Sequence, residues 1–495
     1  MNHYDLVVIG GGPAGYAAAM RAVDFGKKVA LVEKNKLGGA GIYNGALWSK
    51  TWWEIAREAQ DLIKHGANYG LETPDFSFKK IQMQVDKAMD GRVDLLKHHL
   101  LNIDSSEEED LFDFYHADAK VIEPHTVSLQ NAEGVKTITT DFVILATGSR
   151  PRKLDSLPID EEHVYTSDGL NNLNDFPESI VIMGAGVIGC EFATIFSAFG
   201  RTKVHLIDKG DRILPFEDAD VVEIIEKNLE ERGVLIHRNS KLIDMKVDDG
   251  KVVYTLEYTD STKEVFVVEK ALVSIGRVPN YENLFDDTIN LEIDSRGIKD
   301  DLTKTSVDNI YAVGDITADI SLVNVGELEG RYAVERIFGK PDRPLIYENI
   351  STIMFLSPEV AGVGMNEQQA IATGTSFKMV ILNYELIPRA LAMRDTQGFI
   401  KMIVTDDDEM KILGMRVVGQ HASSAIQAVA LLIATSNGIK ELAELIHPHP
   451  SIIEGIQECC RMLLGKSIMK PAVLRSSMKC QVYRDGKFSN LVFDR

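Results

Sequence analysis

Along the chain, short wholly apolar runs alternate with glycine-rich turns and stretches of helical spacing, and one such pattern occurs twice. Leu6–Ile9 is an apolar run of strand length, Gly10–Gly15 a glycine turn, and Tyr16–Phe25 a helix. Lys28–Val32 is then a second strand, ending at the acid Glu33. Runs that are apolar at every position suit parallel strands covered on both faces. Ser179–Met183, Gly184–Gly189, Glu191–Phe199 and Lys203–Ile207, ending at Asp208, repeat the order. Gly10 and Gly184 stand 174 residues apart, too far for a solenoid repeat. They predict two dinucleotide-binding folds in one chain.

Between the copies the spacing predicts helices over 49–65 and 78–100, and then an acidic run, Ser105–Asp110, read as a solvated turn. Strands follow to Asp141–Thr147, and Gly148-Ser149-Arg150-Pro151 marks a boundary. A second boundary falls at Gly276-Arg277-Val278-Pro279-Asn280. Beyond Pro344 strands alternate with long helices and no glycine fingerprint recurs. The expected architecture is α/β, with two Rossmann-like domains and a C-terminal α+β domain. Its parts are 1–150, 151–280, 281–346 (completing the first domain), 347–464, and a basic tail over 465–495.

Composition narrows the classes. Hydrophobic residues make up 45% and charged ones 26% of the 495, which sets disorder and collagen aside. A net charge of −21 repels phosphate backbones and anionic lipid, so nucleic-acid and membrane-surface partners are not expected. No apolar run is long enough to span a bilayer. The chain enters Tyr4–Ile9 at once, so no leader is expected, and four cysteines form neither a disulfide framework nor a metal quartet. The cytoplasm is the expected location.

Both turns satisfy G-x-G-x-x-G: Gly10, Gly12, Gly15 and Gly184, Gly186, Gly189. The first glycine permits the turn, the second lets backbone approach a pyrophosphate, and the third lets helix pack on strand. Glu33 and Asp208, 23 and 24 residues after the first glycines, are placed to accept ribose hydroxyls. A carboxylate at Asp208 disfavours a 2′-phosphate, which points to NAD(H).

With these motifs the chain resembles, over about residues 4–464, the FAD- and NAD-linked disulfide oxidoreductases, especially the dihydrolipoamide dehydrogenase branch. Asp141–Gly148 is similar to the family's strand into an Ala-Thr-Gly turn, and Thr305–Asp315 to its second FAD motif. The resemblance implies an FAD contact at Asp315 and cofactor contacts at Thr147, Gly148 and Gly276. Pro358–Gly364 resembles the opening of the dimer domain, and His447-Pro448-His449-Pro450 with Glu454 its histidine segment, which implies a homodimer.

The pattern breaks at one place. The family carries two cysteines with four residues between them, flanked by Gly-Gly and Ser-Lys, whereas Gly38-Gly39 to Ser49-Lys50 aligns without a gap and holds Gly41 and Ala46 there. Thiol–disulfide exchange needs a thiolate and a second sulfur. Adjacent Cys459 and Cys460 point apart on a predicted helix, Cys190 sits at a helix start, and Cys480 is alone. Metal ligation is not expected.

What the resemblance then implies is hydride transfer from NADH through FAD to a small acceptor other than a disulfide: a quinone, another small electron carrier or oxygen. Lys50 aligns with the lysine beside the flavin and Glu191 with its ion-pair partner. His449, oriented by Glu454, would deliver a proton. Tyr43, Trp48 and Trp52 either repack the space left by the lost sulfurs or line a slot for a planar acceptor. A soluble pyridine nucleotide transhydrogenase is an alternative, since Val187–Glu191 resembles that branch too, and a non-catalytic FAD/NAD-binding scaffold or sensor is another.

Overall fold

The computed structural model describes residues 2–72, 74–103, 109–317 and 320–491. The acidic run expected as a solvated turn lies, from Ser105 to Glu108, outside them. The chain forms two compact units: 1–183 with 244–255 and 265–345, and 184–243 with 256–264 and 346–495.

In the first unit β1 (His3–Ile9), α1 (Pro13–Asp24) and β2 (Val29–Glu33) reproduce the first sequence copy. The short α2 (Gly39–Ile42), α3 (Ala46–His65) and the long α4 (Phe78–Ile103) follow. Strands β3 (Phe112–His116), β4 (Asp118–Glu123), β5 (Thr126–Asn131) and β6 (Gly134–Leu145) complete a sheet ordered β3-β2-β1-β6-β5-β4. β1 lies parallel between β2 and β6, with Ile9 opposite Val32 and Leu145. Both its faces are covered too, Val7 and Ile9 by one hydrophobic cluster and Leu6 and Val8 by another, which is why the run from Leu6 to Ile9 contains no polar residue. The strand Ile310–Ala312 adds to the C-terminal end of β6 and brings Asp315 beside the glycine turn's sheet. A further parallel set in this unit places Lys270–Val273 between Val164–Thr166 and Ser179–Met183.

The second unit holds α5 (Val187–Ala198) and the parallel pair Lys203–Ile207 and Leu235–His237. Its largest element is an antiparallel sheet of seven strands, in the order 351–354, 360–364, 412–418, 399–405, 377–383, 478–484 and 487–490. The helix Ile453–Leu463 packs on this sheet through Ile456, Cys459, Cys460 and Leu463.

One expectation needs correction: the segment expected as a tail over 465–495 is not a separate tail across its described residues, because Met478–Arg484 pairs along Phe377–Asn383 and Lys487–Asn490 extends the sheet. The hydrogen bonding of an open edge and the stacked Phe377 and Tyr483 rings hold it there. Ion pairs tie parts of the second unit together: buried Lys401 meets Asp218, Asp220 and Glu367 at 3.2, 2.7 and 2.7 Å, and Arg416 meets Glu217 at 3.1 Å.

Candidate functional site

The turn between β1 and α1 is shaped by what its glycines must avoid. Gly10 has φ +109°, and a Cβ there would stand 2.3 Å from the Ala146 carbonyl oxygen. One on Gly15 would stand 1.9 Å from the oxygen of Gly10. Gly12 differs, for nothing lies within 4 Å of where its Cβ would be. It is also the N-cap of α1, with Pro13 in the first turn, so the open space faces the unbonded N–H groups of a helix start. Such a cradle fits a pyrophosphate.

Glu33, at the end of β2, is nearly buried. Its Oε2 accepts the Gly11 N–H at 2.7 Å and its Oε1 the Asn35 N–H at 2.7 Å. The acid therefore fixes the glycine turn. The helix Val323–Phe338 crosses α1 closely, since Gly326 and Gly330 leave room for Ala14; a Cβ on Gly330 would be 2.2 Å from the Ala14 oxygen. Sequence reasoning passed over these two glycines, whose four-residue spacing on a predicted helix is the signal for a close crossing.

Asp315 follows the strand Ile310–Ala312. Ser149 Oγ donates to Asp315 Oδ2 at 2.6 Å and accepts from Arg277 Nε at 2.8 Å. Arg277 also donates to the Ser149 carbonyl and, through Nη1, to Asp168 Oδ1, each at 2.8 Å. These residues sit on a two-stranded ribbon, Ser149–Pro151 against Arg277–Pro279. Just before it, Thr147 and Asn280 exchange two hydrogen bonds, while Gly148 (φ +68°) leaves open space. Gly276, φ +102°, accepts the Arg152 N–H with its carbonyl. Ser149, Arg277 and Asp168 were not singled out from the sequence; only tertiary pairing of the ribbon brings them together.

The segment without cysteines lies directly against this turn. Gly38 N–H donates to the Gly11 carbonyl at 2.8 Å, which seats α2 beside α1. A Cβ on Gly41 would be 2.6 Å from Pro13 Cγ, so a side chain at 41 requires α2 or Pro13 to move. Ala46 opens α3, and Lys50 follows on the same face one turn later, half-buried. Trp48, Trp52 and Trp53 are buried. Trp52 packs on Phe78 and Phe176 with centroids 5.1 and 6.3 Å away. Tyr43 packs instead with Ile42, Val93 and Leu96 and lies under Lys36 at 4.8 Å.

In the second unit, Gly186 is the N-cap of α5 and again has nothing within 4 Å of a Cβ. Asp208 repeats the Glu33 arrangement, accepting Ala185 N–H at 2.9 Å and Gly210 N–H at 2.8 Å. Gly189 and Glu191 are buried on α5, and the Glu191 carboxylate accepts the Phe355 N–H at 3.0 Å. At the start of the helix Ile453–Leu463, His449 Nδ1 lies 2.8 Å from Glu454 Oε1, and Ser451 N–H donates to the other oxygen at 2.8 Å. Partial burial opposes ionisation of Glu454, but these bonds outweigh it and hold the carboxyl below its ordinary range. Nε2 of His449 is left for another partner, on a side chain 69% exposed.

No cysteine forms a disulfide. Burial pushes the Cys190 and Cys459 thiols far up and those of Cys460 and Cys480 to about 12. Among the described residues no group of three His, Cys, Asp or Glu side chains is arranged to hold a metal, and no helix is long and apolar enough to cross a membrane.

Comparison with known proteins agrees with this geometry. A family model described as pyridine nucleotide-disulphide oxidoreductase matches residues 4–330, and that of the same family's dimerisation domain matches 350–460. A dihydrolipoyl dehydrogenase of Bacillus subtilis (strain 168) is 32% identical over 480 residues, covering 94% of this chain and 99% of its own. Another, of Geobacillus stearothermophilus, is 33% identical over 472 residues, covering 94% and 97%. The crystal structure of LpdA from Mycobacterium tuberculosis superposes with a TM-score of 0.85 at 25% identity, covering 94% of this chain and 100% of its own.

Proposed function

This chain belongs to the pyridine nucleotide-disulphide oxidoreductase family, and on that premise we propose that it oxidises NADH and delivers the electron pair to a small acceptor that is not a disulfide. The family binds FAD and uses NAD(H); FAD, when bound, supplies the two-electron relay between nucleotide and acceptor. The turn at Gly10–Gly15 with Glu33 and Asp315 would hold FAD, and the turn at Gly184–Gly189 with Asp208 would hold NAD(H).

One observation supports the choice of acceptor: the segment between Gly38-Gly39 and Ser49-Lys50 contains no cysteine. Gly41 and Ala46 stand where the resemblance puts the cysteine pair, and burial raises the pKa of each of the four cysteines elsewhere. Attack on a disulfide requires a thiolate and a second sulfur to complete the exchange.

The chain's own groups supply the remaining work. Lys50 places a positive charge on the face of α3 that Ala46 opens. His449, oriented through Nδ1 by Glu454, can give a proton from Nε2 to an acceptor oxygen. The dimerisation-domain match supports a homodimer. The working division remains 1–150 with 281–346 for FAD, 151–280 for NAD(H) and 347–464 for dimerisation. Four free thiols suit a reducing compartment such as the cytoplasm.

The test is anaerobic titration of the FAD-loaded protein with NADH, followed by turnover with quinones and with lipoamide. Bleaching complete near one NADH per FAD, with quinone turnover far above lipoamide turnover, is expected. Lipoamide reduction as fast as NADH oxidation overturns the proposal, and absence of bleaching returns the chain to a binding role.

A further inference from the structure

A cavity of about 690 Å³ opens on the ribbon Ser149–Pro151/Arg277–Pro279, away from both glycine turns in sequence. Its charge is unusual for this chain. In a protein of net charge −21, Arg150, Arg152, Lys153 and Arg296 all line one space. The acids on the wall are already engaged. Glu282 takes Arg150 in a two-bonded pair at 2.9 and 2.6 Å, and Asp168 takes Arg277 at 2.8 Å. Glu161 accepts Thr166 N–H and Oγ at 3.0 and 2.9 Å, with Lys153 at 3.6 Å. None of these three carboxylates engages Arg152 or Arg296. Pro151, Val278, Pro279 and Tyr281 supply an apolar and aromatic part of the lining.

We propose that this cavity is a binding site for a small organic anion, with a phosphate or carboxylate head met by Arg152 and Arg296 and an apolar body against Tyr281 and the prolines. Arginine suits such a head because its planar fork donates two parallel hydrogen bonds to phosphate or carboxylate oxygens. The site is also wired to the cofactor machinery. From the wall residue Asp168 the contacts run through Arg277 to Ser149 and from Ser149 Oγ to Asp315. Arg150 is the residue after Ser149, and Val278 the one after Arg277. An anion that steadies the ribbon therefore steadies the hydrogen bond on Asp315 and slows loss of FAD. This second claim rests on the reading of Asp315 as an FAD ligand.

Phenyl phosphate and phthalate are suitable probes, titrated calorimetrically into the FAD-loaded full-length protein at constant ionic strength. Saturable binding is expected, weakened about tenfold or more by Arg152→Ala with Arg296→Ala. Both arginines are exposed, so the variant is expected to fold as the parent does. Phenyl phosphate should slow FAD release about threefold in the parent and leave the double variant unchanged. Ser149→Ala should still bind phenyl phosphate while losing its effect on FAD release. Binding no greater than that of sodium chloride, or equal binding by the double variant, overturns the site. Binding with unchanged FAD release overturns the coupling alone. Neither readout involves an electron acceptor, so both outcomes are separate from the proposed reaction.

Discussion

Glu33 Oε2 accepts the Gly11 N–H at 2.7 Å, so the acid that closes β2 holds the turn that opens α1. Asp208 does the same for Ala185 at 2.9 Å. In both copies the carboxylate shapes the anion cradle before any ribose reaches it. Replacing Glu33 with Ala removes two charge-assisted bonds and strands two backbone donors. The expected cost is about 2 kcal/mol, or roughly thirtyfold in FAD affinity. Fluorescence of released FAD against protein concentration measures it, and an unchanged dissociation constant would sink the claim.

The two inner glycines of the first turn should fail in different ways. Gly15→Ala drives a methyl into the Gly10 carbonyl, so the apoprotein itself should lose about 2 kcal/mol or more and melt several degrees lower. Gly12→Ala meets nothing within 4 Å, so apoprotein melting should stay nearly unchanged while FAD retention falls at least about tenfold. Melting curves with and without added FAD distinguish the two.

Proton delivery by His449 separates acceptors by their chemistry. Glu454→Gln loses the charge that faces Nδ1 across 2.8 Å. Quinone turnover, which consumes protons at oxygen, should drop about tenfold, whereas ferricyanide turnover should hold. Equal losses with both acceptors would reduce the pair to a structural role.

Lys401 is nearly fully buried among three carboxylates. Lys401→Met strands Asp218 and its neighbours without a counter-charge, and about 3–5 kcal/mol of stability should go with it. Chemical denaturation gives the number. A loss below about 1 kcal/mol would mean that the acids find other partners or take up protons.

His205 gives the fold a defined acid dependence. Burial first, then repulsion from His237 and Lys203, lowers its pKa from 6.5 to about 4. The unfolded chain takes up a proton on this ring below about pH 6.5 and the folded chain does not until about pH 4. Stability should therefore fall as pH falls through that window, with a slope approaching 1.4 kcal/mol per pH unit for this one group. His237, stacked at 5.4 Å and also lowered by burial, adds in the same direction. His205→Gln should flatten the slope; an unchanged slope by denaturant titration at several pH values would rule the ring out.

The chain's sequence determined whatever depends on neighbours in the chain. Strand–turn–helix order, the glycine positions and the acids Glu33 and Asp208 follow from local sterics and spacing, and the structure has them there. His449 and Glu454 also meet as a five-residue spacing around a helix start allows. Other features required the folded chain. Trp52 packs on Phe78 and Phe176, and Tyr43 on Val93 and Leu96, partners far from both in the chain. Residues 478–490 read as a tail because their strand pattern has no partner nearby; the open edge of 377–383 supplies one about a hundred residues away in the chain. The path Asp168–Arg277–Ser149–Asp315 joins four distant positions through a ribbon that no local propensity specifies. Local sterics can be read from composition and order, whereas edge pairing, aromatic clustering and charge pairing depend on which surfaces the fold brings face to face.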